Sequence, residues 1–292
     1  MSLYEDPRVV RWLRDPFWGA LNHLTYHALR LLPVRAASAA GARLGLAAGR
    51  YRLRETSAHA DRNLQRIRPD LSAAQRAAAL ARMWDYVGRA VAEVAVLERL
   101  WESAQVSMVN EASVRDMLRA RRPVIFVFPH LGNWELLAVA VQRLGASLSV
   151  VFELLGNRFE RSLAERSRRR LGYRLISPDR AGVRALLAAL GRGEALGMAI
   201  DERKRGNVVA PAFGRPLPAF ANLRYAEKLA RRFDAPVVAG YCLRTAPLEF
   251  TLTFLDPLER PSAQQLNALC ESWIRAHPEQ WYMLHRLRFE AG

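Results

Sequence analysis

Two short polar clusters stand directly behind apolar runs of strand length, and both hold the residue types of acid–base chemistry. The first, Pro129-His130-Leu131-Gly132-Asn133-Trp134-Glu135, follows Val124–Phe128; the second, Asp201-Glu202-Arg203-Lys204-Arg205-Gly206, follows Ala195–Ile200. In the first, Gly132 permits a tight turn, Asn133 can cap a helix and Glu135 falls in its opening turn. A carboxylate there can return to the His130 ring, hold one tautomer and stabilise the imidazolium, freeing the other ring nitrogen as a general base. Backbone N–H groups at the helix start, around Gly132 and Asn133, could bind an oxyanion or a phosphate. The same residues also suit a capped helix whose Glu135 only complements the dipole beside a satisfied histidine.

In the second cluster Asp201 and Glu202 could orient His130 or Arg168, while Arg203, Lys204 and Arg205 could face phosphates. A charge run of this kind also suits a solvated loop. A further basic knot, Arg166, Arg168, Arg169 and Arg170, sits in a helical segment. Arg166, Arg169 and Arg170 share adjacent faces there and Arg168 points elsewhere. No protein nucleophile partners the histidine: G-x-S-x-G is absent, and neither Cys242 nor Cys270 follows a strand into a helix. A histidine base without such a partner suggests that a substrate hydroxyl attacks, which suits direct transfer from an activated thioester.

Positioning these clusters requires strand ends that converge. From about residue 107 short apolar runs alternate with helical segments. Strands are expected at Val124–Phe128, Leu148–Phe152, Tyr173–Ile176, Ala195–Ile200, Val237–Leu243 and Phe250–Phe254. The last two are expected to pair antiparallel around Pro247. Helices are expected at 51–66, 72–100, 134–144, 159–171, 182–190, 223–233 and 263–276, with Ser72 as a cap. This alternation predicts an α/β fold with a mostly parallel central sheet flanked by helices, whose sites form at the C-terminal strand ends.

Composition narrows the function. The chain has 292 residues, is 51% hydrophobic and 25% charged, and carries a net charge of +16, which excludes a disordered chain and a polytopic membrane protein. Of its 44 basic residues only Lys204 and Lys228 are lysines. The surplus suits an anionic partner, although no nucleic-acid-binding motif accompanies it. Two cysteines without C-x-x-C spacing favour a reducing compartment, and the six histidines form no metal-ligand spacing.

The segment Trp12–Tyr51 is rich in aromatic and leucine residues but interrupted by His23, Arg30, Arg35 and Arg43. It contains no bilayer-spanning run and no signal peptide, and it suits either a membrane interface or a pair of core helices. The simplest division is an interfacial helical segment over 1–50 and one catalytic domain over 51–292.

These residues, in this order, resemble the bacterial lipid A late acyltransferase family, which is related to lysophospholipid-type acyltransferases. His130-Leu131-Gly132-Asn133-Trp134-Glu135 is similar to the family's H-x4-D/E block. Asp201–Gly214, continuing Arg215-Pro216, is similar to its D-Q…V-P-F-F-G-x-P block. Pro278-Glu279-Gln280-Trp281-Tyr282-Met283-Leu284-His285-Arg286 resembles its C-terminal P-E-Q-W-x-W-x-H-R signature, and Arg62-Asn63-Leu64, Pro69, Gly88 and Glu93 its N-terminal helical region. Pro129, Glu202, Ala212 and Met283 depart from the pattern, which bears on acceptor and chain length more than on the reaction.

The resemblance implies that His130 is the general base with Glu135 as partner, and that Arg168 steadies an oxyanion or the acceptor's phosphate. Asp201 matches the first acidic residue of its block. Arg166, Arg203, Lys204, Arg205, His285 and Arg286 are candidate contacts to a lipid headgroup or the carrier. It implies no cofactor and no metal, an acyl carrier protein or acyl-CoA donor, and a phosphorylated glycolipid or phospholipid acceptor. The implied place is the cytoplasmic face of the bacterial inner membrane, peripheral or monotopic. The same chemistry on a lysophospholipid, a phosphoinositide mannoside or an amino-acid lipid remains open. So does a non-catalytic basic protein that binds membrane or nucleic acid.

Overall fold

The computed structural model describes residues 15–152, 158–177, 179–204 and 206–289. Arg205 therefore lies outside the described residues, as do Trp12 and Leu13. Helix α1 (Asp15–Leu31) and α2 (Val34–Ala47) lead through a π-helical turn into α3 (Arg54–Ile67) and α4 (Ala73–Glu93). Ser72 begins α4 with a reciprocal capping box to Gln75, which satisfies two backbone donors that no helical carbonyl reaches.

The expected helix over 72–100 is broken. It ends at Glu93, passes through a 3-10 turn at Val94–Val96 and restarts as α5 (Leu97–Ser103). The Glu93 carboxylate accepts from Ser38 Oγ (2.6 Å), Asn133 Nδ2 (2.8 Å) and Arg244 Nη2 (2.5 Å). These long-range bonds fix the chain where local periodicity would continue.

There follow β1 (Gln105–Val109), α6 (Glu111–Arg119), β2 (Val124–Phe128), α7 (Glu135–Arg143), β3 (Leu148–Val151), α8 (Arg158–Arg169), β4 (Arg174–Ile176), α9 (Arg180–Gly191) and β5 (Ala195–Ala199). A small hairpin of β6 (Glu202–Lys204) and β7 (Asn207–Ala210) comes next, then α10 (Asn222–Phe233), β8 (Val237–Ala246), β9 (Glu249–Phe254) and α11 (Ala263–Ala276). Two 3-10 turns, Pro278–Gln280 and Leu284–Arg286, end the described chain. The β1 and α6 elements and the β6–β7 hairpin were not legible from the apolar runs, since β1 alternates and the hairpin carries the charge run.

Among the described residues the main sheet has seven strands in the order β1-β9-β8-β2-β5-β3-β4. Its neighbours are parallel except for the β8–β9 pair, which is antiparallel as expected. Every residue of β2 is buried, and its continuous apolar run is the pattern of a strand covered on both faces. Ile125 and Val127 enter the core under α3, α4, α10 and α11; Phe126 and Phe128 enter the core under α5 and α7. This is the period-two alternation of a strand.

Helix α2 packs tightly on α4 through glycines. A Cβ at Gly88 would lie 2.1 Å from the Gly41 carbonyl oxygen, so the two backbones meet where no larger residue fits. This contact anchors the N-terminal helices to the Glu93 hub.

Candidate active site

Adjacent strands bring the two polar clusters together. β2 and β5 are parallel neighbours with Phe128 opposite Ala199, so the loops leaving their C-terminal ends start side by side. Two residues beyond that pair stand His130 and Asp201. Asp201 Oδ1 lies 2.7 Å from His130 Nδ1, and Oδ2 accepts the His130 backbone N–H at 2.8 Å. Oδ2 also accepts Trp281 Nε1–H at 2.8 Å. The Asp201 side chain is fully buried and that of His130 is 22% exposed.

A carboxylate facing Nδ1 selects the tautomer that carries its proton there and leaves the Nε2 lone pair free. Among the described residues no side chain or carbonyl bonds to Nε2. The ring stands edge-on to Trp134, with centroids 4.7 Å apart.

The loop is held by strand β8 and by the segment around Gln280. Gly132 adopts φ +57°, and a Cβ there would sit 2.6 Å from the Cys242 carbonyl oxygen, so glycine is required for both conformation and space. Its N–H donates to the Gln280 carbonyl at 3.1 Å, Leu131 bridges to Trp281, and the Tyr282 N–H donates to the His130 carbonyl at 3.0 Å. The P-E-Q-W segment thus forms a backbone splint along the histidine loop. Gln280 in turn bonds the Arg244 backbone through both ends of its amide, tying the splint to the Glu93 hub.

Glu135 does not reach the histidine ring as expected. Its side chain turns away at the start of α7 and accepts from Arg168 Nε on both oxygens, from Arg168 Nη2 on Oε1 at 2.5 Å, and from Tyr173 Oη at 3.0 Å. Burial would raise the Glu135 pKa, but the Arg168 guanidinium, the Tyr173 hydroxyl and nearby His130 together hold it below the ordinary value. The same cluster raises the pKa of Tyr173, through burial first and then the Glu135 charge. Arg168 is therefore committed to a carboxylate, with 24% of its side chain exposed.

The other expected site residues divide. The Asn133 side chain is buried and bonded to Glu93, so it caps nothing, and Trp134 stands at the helix cap without a side-chain bond. The Gly132 N–H is consumed by Gln280. The Gly132 N–H is therefore not free as an oxyanion donor. Glu202 Oε2 accepts the Asn222 N–H at 2.8 Å and so caps α10. Lys204 Nζ lies 3.6 Å from the Phe220 ring centroid, and Arg166 is exposed on α8.

His285 and Arg286 follow Tyr282, whose ring touches both Trp134 (5.2 Å) and His285 (6.5 Å). Trp281 and Tyr173 were not singled out as site residues. The signature around Trp281 could have pointed to it, whereas Tyr173 had no local signal.

One consequence concerns stability. Glu135→Ala leaves a buried guanidinium and a buried phenol without their acceptor, and breaking such a pair costs about 3–5 kcal/mol. A urea midpoint measured at neutral pH should fall accordingly. Because the folded carboxylate titrates lower than in the unfolded chain, its contribution is complete above the ordinary carboxylate range. It is lost as pH falls through the depressed folded value, so the wild-type advantage over Glu135→Ala should shrink on acidification.

No curated protein matches the chain at a significant level. A model for bacterial lipid A biosynthesis acyltransferases matches residues 16–289, spanning the dyad, the Glu135 cluster and the C-terminal splint. The chain belongs to that family of acyltransferases.

Proposed function

We propose that the enzyme transfers a fatty acyl chain from a thioester on acyl carrier protein or coenzyme A to a hydroxyl of a lipid A precursor-type glycolipid. The observation that carries this reading is the His130–Asp201 pair, with Nδ1 engaged and Nε2 open. Nε2 takes the proton of the acceptor hydroxyl as that oxygen attacks the thioester carbonyl. A C–O bond forms, the C–S bond breaks, and the leaving thiolate recovers the proton from the imidazolium. Asp201 balances the positive charge that the ring carries between those events. Glu135 acts by holding Arg168 beside the reacting groups, where its positive charge favours the developing oxyanion.

The substrate reading draws on the basic surface, which suits an acidic carrier and a phosphorylated acceptor. It also draws on the aromatic path Trp134–Tyr282–His285–Trp84, which leads to a groove of about 540 Å³ beside Leu46, Tyr51 and Leu80. His130 does not line that groove.

Attachment to the membrane surface is supported by α1, where exposed Phe17, Leu21, Leu24 and Leu31 recur at helical spacing. Leu31 is 86% exposed. Such a stripe, with Arg52 lying 5.8 Å from the Trp18 ring, suits a helix lying in an anionic interface. Among the described residues no helix is long and apolar enough to cross a membrane.

Incubation with an acyl-carrier thioester and a phosphorylated glucosamine-disaccharide lipid tests the reaction. Mass spectrometry should show one added acyl chain per acceptor, matched by an equal amount of free carrier thiol. Thiol release without acylated lipid would overturn the assignment.

A further inference from the structure

The end of the described chain carries a feature that the transfer chemistry does not use. Among the described residues, His285 Nδ1 and Arg286 Nε are both buried without a hydrogen-bond partner. Buried polar atoms are rarely left so, and an absent partner is a common reason. Their surroundings indicate its charge.

Arg288 donates through Nη1 to the His285 and Leu287 carbonyls at 3.2 and 3.0 Å, which folds its guanidinium back toward the turn. Arg62 on α3 donates to His59 Nδ1, which places the His59 proton on Nε2 for the Leu287 carbonyl at 2.8 Å. Arg203, on the hairpin strand that begins directly after Asp201, pairs with Val208, which bridges in turn to Leu287.

Burial first, and then Arg286, Arg203, Arg288 and His59, push the His285 pKa down to about 4. The arginines acting on this ring, Arg286, Arg203 and Arg288, are all cations. Like charges gathered around orphaned polar atoms cost free energy unless an anion joins them.

We propose that His285, Arg286, Arg203 and Arg288 form a binding subsite for a phosphate group, separate from the His130–Asp201 pair. The proposal rests on the transferase reading only for the source of that phosphate. Tyr282 joins the two places: its backbone holds the His130 loop and its ring touches His285. A substrate whose phosphate sits on this cluster would thus be placed along the ring path that ends at His130. The phosphate can come from the acceptor's headgroup or from the phosphodiester of the donor's pantetheine arm.

Two arms test this on the full chain. In the first, thermal unfolding is followed with inorganic phosphate against chloride at matched ionic strength. Phosphate should raise the midpoint of wild type and of His130→Ala alike, and the rise should be lost in Arg286→Gln and in the more exposed Arg288→Gln. An equal rise in all four proteins, or none in wild type, overturns the subsite whether or not transfer occurs.

In the second arm, Arg286→Gln should raise a KM about tenfold with kcat little changed, the usual scale for one charge-assisted phosphate contact. A rise confined to the phosphorylated acceptor, absent with the dephosphorylated one, assigns the subsite to the acceptor. A rise confined to the thioester donor assigns it to the donor. No rise in either KM overturns it.

Discussion

Replacing His130 by alanine is expected to lower acyl transfer on the order of 10²–10⁴-fold, the usual contribution of a positioned general base. Nδ1 is held 2.7 Å from Asp201, Nε2 faces no protein acceptor or donor among the described residues, and the ring is partly open to solvent. The fold should survive the change, because the groups that hold the loop are backbone atoms: the His130 N–H on Asp201, the His130 carbonyl on Tyr282 and the Gly132 N–H on Gln280. Single-turnover thioester release, with the far-ultraviolet spectrum and unfolding midpoint as controls, reads the effect. Turnover within a few-fold of wild type would remove His130 from the chemistry.

Asp201→Asn should be nearly as severe, for a reason specific to this site. Two N–H donors, from the His130 backbone and Trp281, converge on Oδ2. An asparagine will keep its one oxygen on that side, so its amide N–H₂ must face His130 Nδ1. That nitrogen then becomes an acceptor, the ring proton moves to Nε2, and the base loses the lone pair it needs. Trapping the wrong tautomer in catalytic triads costs about 10⁴-fold in kcat, and a loss of similar order is expected with little change in acceptor KM. Because both donors stay satisfied, stability should change far less than in Glu135→Ala. The two variants therefore separate the carboxylate that steers the histidine from the one that holds Arg168.

This separation also shows what the sequence could and could not carry. Continuous apolar runs such as Val124–Phe128 announce buried strands, and the α/β fold, the parallel sheet and the antiparallel β8–β9 pair follow from them. The polar residues behind two of those strands are the ones that the sheet brings together. Which carboxylate meets the imidazole stays open in the sequence between Glu135, favoured by local spacing, and Asp201, because the pairing depends on strand order. β5 lies beside β2 only once the sheet has formed, and that register delivers Asp201 from 71 residues away.

The same holds for Asn133. Its type and position suit a helix cap, yet Glu93, buried 40 residues upstream, captures its amide. Trp281 reaches Asp201 across 80 residues, and Tyr173 meets Glu135 only because β4 ends the sheet next to β3. In each case a buried charge outbid a local preference, since an unpaired carboxylate inside the protein costs more than an uncapped helix.

The most direct test of the account is ¹⁵N NMR of histidine-labelled protein, with His130 assigned by its absence in His130→Ala. In the neutral ring the account predicts a protonated Nδ1, hydrogen-bonded to Asp201, and a bare Nε2. Asp201→Asn should reverse that pattern. A wild-type ring carrying its proton on Nε2 would contradict the account, because the nitrogen facing the acceptor would then have nothing with which to take a proton.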